Sequence, residues 1–329
     1  MKAWRLSELG DPWDVLKLQE VDSPVPGDGE ARVKVASCDL NFADILQCQG
    51  TYQVRVDPPF TPGMAVAGTV QAAGNGCDLK IGDRVLGMTS SGWGGYAEEA
   101  LVRGSDMRIV PENVSLAAAS AMNVIYGTGW VALHRRGNMQ PGETVLVLAA
   151  AGGVGSAAVQ MAKVHGCKVI AAAGGPQKVQ VCLDLGADVA IDYKSEDLYG
   201  KVMEATDGRG CDLIYDPVGG EYFDVARRLL AWEGRLLVVG FASGTIPSAP
   251  ANHALVKNYS IVGVHMGGYR HRMDAVLDKC YEELWEMVAS GTLDPLVSQE
   301  LHLEDLMDGL ISLSNRGTTG RVLLRPDLR

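Results

Sequence analysis

Between Glu143 and Gly166 the chain reads ETVLVLAAAGGVGSAAVQMAKVHG, the stretch that most restricts what it can fold into. An apolar run of β character, Val145 to Leu148, passes through the small-residue turn Ala149-Ala150-Ala151-Gly152-Gly153-Val154-Gly155 into a helical segment ended by Gly166. Strand, turn and helix in this order bring backbone N–H groups and a helix N-terminus together on a phosphate. A Cβ at the points of closest approach would obstruct a pyrophosphate, and Gly152 and Gly155 supply the room, with Ala151, Gly153 and Val154 completing the turn. The pattern is A-x-x-G-x-x-G, with Ala149 where the commonest dinucleotide fingerprint has glycine, and a tight buried β–α turn is the plain alternative. A second apolar run, Lys168 to Ala173, supplies the β-α-β unit that a mononucleotide site requires.

The end of that second run discriminates between cofactors. A chain that binds NAD usually has a carboxylate about 20 residues beyond the glycines to accept the ribose hydroxyls. Here the place is taken by Gly174-Gly175-Pro176-Gln177-Lys178, with no acid. A carboxylate would repel a 2′-phosphate, whereas a lysine ammonium forms a charge-assisted bond to it. The segment therefore reads as a site for NADPH with Lys178 on the phosphate, the alternative being a solvated surface lysine.

The chain has 329 residues, enough for about two domains with a sizeable core. Its 40 glycines, 47% hydrophobic and 21% charged residues point to a globular α/β protein rich in tight turns. A formal net charge of −11 and the lack of clustered Lys and Arg argue against a nucleic-acid-binding surface. Seven cysteines, at 38, 48, 77, 167, 182, 211 and 280, include no close C-x-x-C pair, so they read as small hydrophobes in a reducing compartment. The sequence MKAWRLSELG lacks the apolar core of a signal peptide, and the longest apolar stretch is broken by its glycines. A cytoplasmic protein with no membrane span is the expectation.

The first 120 residues differ in texture from the middle. Short strand-like runs at Ala31–Ala36, Gly68–Ala72 and Arg84–Met88 alternate with turn clusters around residues 24–29, 74–76 and 81–83, as in a mostly antiparallel β-domain. Beyond Asn123 come strand-like segments at Val189–Ile191, Asp212–Tyr215, Arg235–Val239 and Ser260–Val264. With the two runs flanking the first helix these make six, the number of a full doubly wound sheet. The expected boundaries are 1–123 for a β-rich domain, 124–262 for the nucleotide-binding domain and 263–329 for a tail returning to the first. The tail carries an amphipathic helix with Met273, Val276, Cys280, Leu284 and Met287 on one face, then a strand-like Arg321–Leu324.

The order NFADILQCQGTYQ, PFTPGMAVAGTV, IGDRVLG, AAAGGVG and YDPVGG resembles the medium-chain dehydrogenase/reductase superfamily, and within it the zinc-independent, zeta-crystallin-like quinone oxidoreductases. The resemblance covers nearly the whole chain and implies a GroES-like β-rich catalytic domain beside a Rossmann domain with a doubly wound parallel six-stranded sheet. Zinc-containing relatives carry a cysteine where Asn41 stands and a His-Glu pair where this chain has Met64-Ala65; a thioether and a methyl cannot replace that pair. The region matching their structural zinc lobe, 92–107, contains no cysteine. No metal is expected.

By the same resemblance Asn41 and Tyr52 line the nicotinamide and acceptor cleft, Thr128 touches the carboxamide, and Gly174, Lys178 and Tyr193 form the 2′-phosphate site; the plain alternatives are a local turn-former for Asn41, a β-domain surface tyrosine for Tyr52 and a strand-end aromatic for Tyr193. The resemblance further places Gly240, Phe241 and Ser243 in the loop under the nicotinamide half and Arg316 on the cofactor from the tail, a surface position in a Gly/Thr-rich loop being the alternative for Arg316. It also implies a homodimer, for which the Val256–His265 stretch is either the strand that pairs across subunits or an ordinary core strand. The segment His265 to Arg270 is expected to border the acceptor cleft. Two departures, Leu46 in place of a second tyrosine and Ala65 in place of an acid, make that cleft more apolar.

The expected chemistry is metal-free hydride transfer from NADPH to a small electrophilic acceptor. Conjugation in a quinone or an α,β-unsaturated carbonyl spreads the arriving charge onto an oxygen that hydrogen bonds can hold. Three readings remain open from the sequence: a quinone reductase, a reductase of activated C=C bonds, and an NADPH-binding sensor or structural protein without turnover.

Overall fold

The computed structural model describes residues 1–52, 54–269 and 272–328. In chain order the elements are β1 (Lys2–Leu6), α1 (Pro12–Val15), β2 (Leu16–Glu20), β3 (Glu30–Asp39), α2 (Phe42–Cys48), β4 (Ala65–Ala73), β5 (Arg84–Thr89), β6 (Glu99–Ile109) and α3 (Leu116–Trp130). There follow β7 (Thr144–Leu148), α4 (Gly153–Val164), β8 (Lys168–Ala173), α5 (Pro176–Asp184), β9 (Val189–Asp192), α6 (Leu198–Ala205), β10 (Cys211–Asp216), α7 (Gly220–Ala226) and β11 (Leu230–Val238). The chain closes with α8 (Ala251–Lys257), β12 (Ser260–Gly263), α9 (Asp274–Ala289), β13 (Val297–Leu301), α10 (Leu306–Ser314) and β14 (Arg321–Leu324). Contacts divide it into two units, residues 1–123 with 297–329, and residues 124–296.

The second unit is built on six parallel strands in the order β12-β11-β10-β7-β8-β9, the doubly wound arrangement expected from six strand-like runs. All five residues of β7 are buried, which is why that strand reads as an unbroken apolar run rather than an alternating one. The tail is shared between the units: α9 belongs with the parallel sheet, and only the part from Val297 belongs with the β-rich unit. Its amphipathic face explains the difference, since Leu277, Cys280, Tyr281 and Leu284 are buried and need a partner surface before the chain reaches β13. Among the described residues one helical run, Leu116–Arg136, is long and apolar enough to cross a membrane, but 72% of its apolar window is buried inside the protein, as in a core helix.

The first unit contains a six-stranded sheet in the order β13-β14-β3-β4-β5-β6, and an added β3–β6 pairing closes its last four strands on themselves. Closure gives a partner to the β6 edge that an open sheet would expose, and leaves β13 at the other end of the order. Gly68 permits the β3–β4 approach, since a Cβ there would overlap the carbonyl oxygen of Lys34. β14 joins through Leu323 opposite Asp39 and Leu324 opposite Cys38. At that junction the guanidinium of Arg321 pairs with the carboxylate of Asp39, their side chains only 8% and 1% exposed. A second buried carboxylate, Asp44 in α2, accepts from the Tyr96 hydroxyl at 2.7 Å and from the Asn41 N–H at 2.8 Å.

Asp39→Ala should destabilise the protein by about 3–5 kcal/mol in urea denaturation, because it strands a buried cation. A double replacement of Asp39 and Arg321 by leucine should cost clearly less. Burial raises the Asp44 carboxyl from 3.8 to about 6, the Tyr96 hydroxyl opposing the shift. An acid whose folded pKa lies above its unfolded value contributes stability at low pH that is lost as pH rises through that interval. Asp44→Asn should therefore flatten the pH dependence of unfolding between about pH 4 and 6, measured by denaturant titration against the parent.

Candidate functional site

The turn after β7 is set by two backbone features. Ala149 adopts a left-handed conformation with φ of 48°, and its carbonyl accepts the Gly152 N–H at 2.9 Å. Gly152 then caps α4 in an extended conformation, with Gly153, Val154 and Gly155 forming the first helical turn. Those first N–H groups have no acceptor within their own helix and lie at its positive end. Gly155 has a different task from the one its place in the motif implies. A Cβ there would overlap the Ala149 carbonyl oxygen and come within 2.8 Å of the Ala150 Cα, so this glycine admits the helix against the turn. Gly152 is less confined, with Ala149 O 3.3 Å from such a Cβ, and is partly exposed, as is Val154, whereas Ala151 is buried. The turn sits at the C-terminal end of β7, beside β10, where the winding of the sheet reverses. Ligand crevices of open α/β sheets form at such switch points.

At the end of β8, Gly174 lies under the Tyr193 ring: a Cβ on it would sit 2.7 Å from the Tyr193 hydroxyl oxygen and 3.0 Å from Lys194 Cε. Tyr193 is steadied edge-on by Tyr222, ring centroids 5.2 Å apart. Gly175, with φ of 100°, caps α5, whose first turn carries Lys178. The structure thus brings Gly174 and Tyr193 together. It also shows an acid at this place that does not follow β8 in the sequence but stands at the end of β9. Asp192 accepts from the Gly175 N–H at 2.8 Å, from the Lys194 N–H at 3.0 Å and from the Ser195 hydroxyl at 3.0 Å. The Gly175 N–H is the main reason its carboxyl lies below the usual range. Both of its oxygens are spent on the protein, so it pins the two loops together.

The ends of β10 and β11 form a third piece. Asp216, 1% exposed, accepts from the N–H groups of Val218 and Gly219 at 2.8 and 2.9 Å and so shapes the turn 216–220; burial raises its carboxyl above the ordinary value. Over that turn runs the loop containing Gly240, Phe241 and Ser243, with Ala242 N–H donating to Pro217 O and Ser243 N–H to Val218 O, both at 3.0 Å. Gly220, with φ of 57°, leaves room for the Ser243 hydroxyl, which would be 2.8 Å from its Cβ. Phe241 is 41% exposed, an apolar surface displayed at the sheet's C-terminal edge. Thr128 is half-buried in α3, between glycines that admit Met266 on one side and Met161 on the other.

Beyond β12, a cavity of about 210 Å³ is lined by His265, Gly268, Tyr269, Arg272 and Met273. Arg270, the end of the segment expected to border the acceptor, lies outside the described residues.

Asn41, Tyr52 and Arg316 belong to the other unit. Asn41 caps α2; its side-chain carbonyl accepts from Arg321 at 2.9 Å and its amide donates to Asp39 O at 3.2 Å. Tyr52 is half-buried, its N–H on Leu46 O at 3.1 Å. Arg316 follows α10 in a left-handed conformation with φ of 54°. The donor set around Asn41 does not suit zinc. Met64 offers a thioether in place of an imidazole, its carbonyl being taken by Thr89, and Ala65, with only a methyl, begins β4. Burial pushes the Cys38 thiol well above its ordinary value, away from the thiolate a metal needs. Among the described residues no three His, Cys, Asp or Glu side chains are grouped to hold a metal ion.

Comparison with known proteins agrees with this architecture. Residues 27–112 match the family described as alcohol dehydrogenase GroES-like domain, and residues 153–282 the family described as zinc-binding dehydrogenase. The chain is 41% identical over 311 residues to quinone oxidoreductase-like protein 2 of Bos taurus, covering 94% of this chain and 88% of that one. Among solved structures, a quinone oxidoreductase of Pseudomonas syringae superposes with a TM-score of 0.88 at 31% identity, over 99% of both chains. The Escherichia coli quinone oxidoreductase complexed with NADPH superposes with a TM-score of 0.88 at 28% identity, over 99% of this chain and 100% of that one. With the glycine turn at a sheet switch point and a closed β-rich unit of matching extent, the chain belongs to the quinone oxidoreductase branch of the medium-chain dehydrogenase/reductase superfamily.

Proposed function

We propose that this oxidoreductase reduces quinones with NADPH and without a metal. The observation that carries the reading is the row of loops at the C-terminal ends of β8, β7, β10 and β11, each opened by glycine and each tied down by hydrogen bonds within the protein. The turn 151–155 would take the pyrophosphate, Gly174, Lys178 and Tyr193 the adenosine 2′-phosphate, and Gly240, Phe241 and Ser243 the nicotinamide half. Arg316 is assigned to the cofactor as well. When bound, NADPH supplies a hydride to an electrophilic acceptor.

The chain's own contribution is placement and charge stabilisation. Thr128 is assigned to the carboxamide, and Asn41 and Tyr52 to the nicotinamide and acceptor, with the Tyr52 hydroxyl donating to the acceptor oxygen as negative charge arrives there. Orientation of this kind supplies up to about 7–11 kcal/mol. The donor set at Asn41, Met64 and Ala65 supports a metal-free route, since it offers no Lewis acid site for an alkoxide. Placement in the cytoplasm and a small-molecule acceptor complete the proposal.

A second copy of the chain is the proposed partner. β12 is the edge of the parallel sheet, four residues long and, among the described residues, paired only with β11. Beside it Leu255 and Val256 are 81% and 75% exposed. Those residues belong to α8 rather than to the strand, so the apolar stretch 256–265 joins a helix end to an edge strand.

The test is oxidation of NADPH, and separately of NADH, by purified protein offered a quinone, an enone and an enoyl thioester. Turnover with NADPH and quinones is expected; preference for either of the other acceptors, or binding without turnover, overturns the reading. Lys178→Glu should raise KM for NADPH at least about tenfold while leaving NADH little changed. Sedimentation should show a dimer that Ile261→Lys converts to monomer, by placing a charge on the paired edge; a monomeric parent or an undisturbed dimer contradicts the edge assignment.

A further inference from the structure

The geometry points to Lys194 as a second cation of the 2′-phosphate site, acting with Lys178 to discriminate NADPH from NADH; this rests on the NADPH reading above. The terminal methylene of Lys194 lies over Gly174, where a Cβ would come within 3.0 Å of Cε, on the same face as the Tyr193 hydroxyl at 2.7 Å. Its ammonium is therefore one bond away from the surface on which the phosphate is placed. The main chain at Lys194 is fixed, with its N–H on Asp192 Oδ1 at 3.0 Å, and the same oxygen holds the Gly175 N–H at 2.8 Å. One carboxylate thus sets the separation between the Gly174 turn and the lysine that reaches across it. Gly174 completes the arrangement, because any side chain there would displace both Tyr193 and Lys194.

Charge balance calls for the second cation. A phosphate monoester carries about −1.5 to −2 at neutral pH. Asp192 stands ionised at the rim, and Glu196, whose carboxylate accepts the Asp192 N–H at 2.9 Å, adds another negative charge behind it. Lys178 alone cannot offset these charges and the phosphate together. Lys194 brings the local count closer to balance, and its exposed position lets the ammonium meet a phosphate without being stripped of water beforehand.

The experiment titrates the full-length protein, Lys194→Ala and Lys194→Arg with NADPH, NADH, adenosine 2′,5′-bisphosphate and AMP, by calorimetry at low and high salt. Lys194→Ala should weaken both ligands that carry a 2′-phosphate about fivefold to tenfold and leave NADH and AMP unchanged. Lys194→Arg should restore most of the loss, and salt should shrink it. Equal weakening of all four ligands would assign Lys194 to the turn's structure and overturn the proposal. So would a Lys194→Ala protein that keeps the parent's preference for NADPH, which leaves the NADPH reading intact. A parent protein that binds NADH as tightly as NADPH sinks both.

Discussion

The close approach of α4 to the turn after β7 is the constraint on which the second unit depends. Without a Cβ on Gly155 the helix rests directly on the backbone of Ala149 and Ala150. This contact aims the unsatisfied N–H groups at the helix start toward the sheet's C-terminal edge. Ala149 takes the left-handed conformation that a glycine would adopt more cheaply, and the buried strand behind it holds it there. Once that helix is seated, the neighbouring loops need only be fixed at their own strand ends. Asp192 does this between β8 and β9, and Asp216 does it for the turn after β10.

The first unit solves a different problem, that of anchoring a C-terminal segment to a β-rich fold formed mostly by the first 123 residues. Arg321 pairs with Asp39 and donates to Asn41, so the last strand, the end of β3 and the cap of α2 share one buried polar cluster. Asn41 is consequently oriented by a residue that arrives 280 positions later in the chain. Any contact that Asn41 makes with a ligand inherits its precision from this cluster.

The elements that proved legible in the sequence are those whose signals are local. Each of the six strands of the parallel sheet is a short apolar run, and the glycine turn is contiguous, so both could be read directly. The role of Gly155 could not, because room for a ligand and room for a helix demand the same missing atom. Asp192 carries no such local signal, because it stands at the end of the third strand while one of the two loops it pins follows the second. Arg321 gave no signal, lying in a strand-like apolar run far from its partner Asp39. Nor did the pairing of Asp44 with Tyr96, which are 52 residues apart. The division of the tail was hidden for the same reason: α9 shows that it has an apolar face, but not which unit covers it.

The central claim is a nicotinamide site whose chemistry needs no metal, and its most direct test is turnover of metal-stripped enzyme. Protein dialysed against a strong chelator, and shown by elemental analysis to be free of zinc, should oxidise NADPH with a quinone at the rate of the untreated protein. A loss of activity that returns on adding zinc would contradict the account, because the donor set around Asn41, Met64 and Ala65 offers that ion no site.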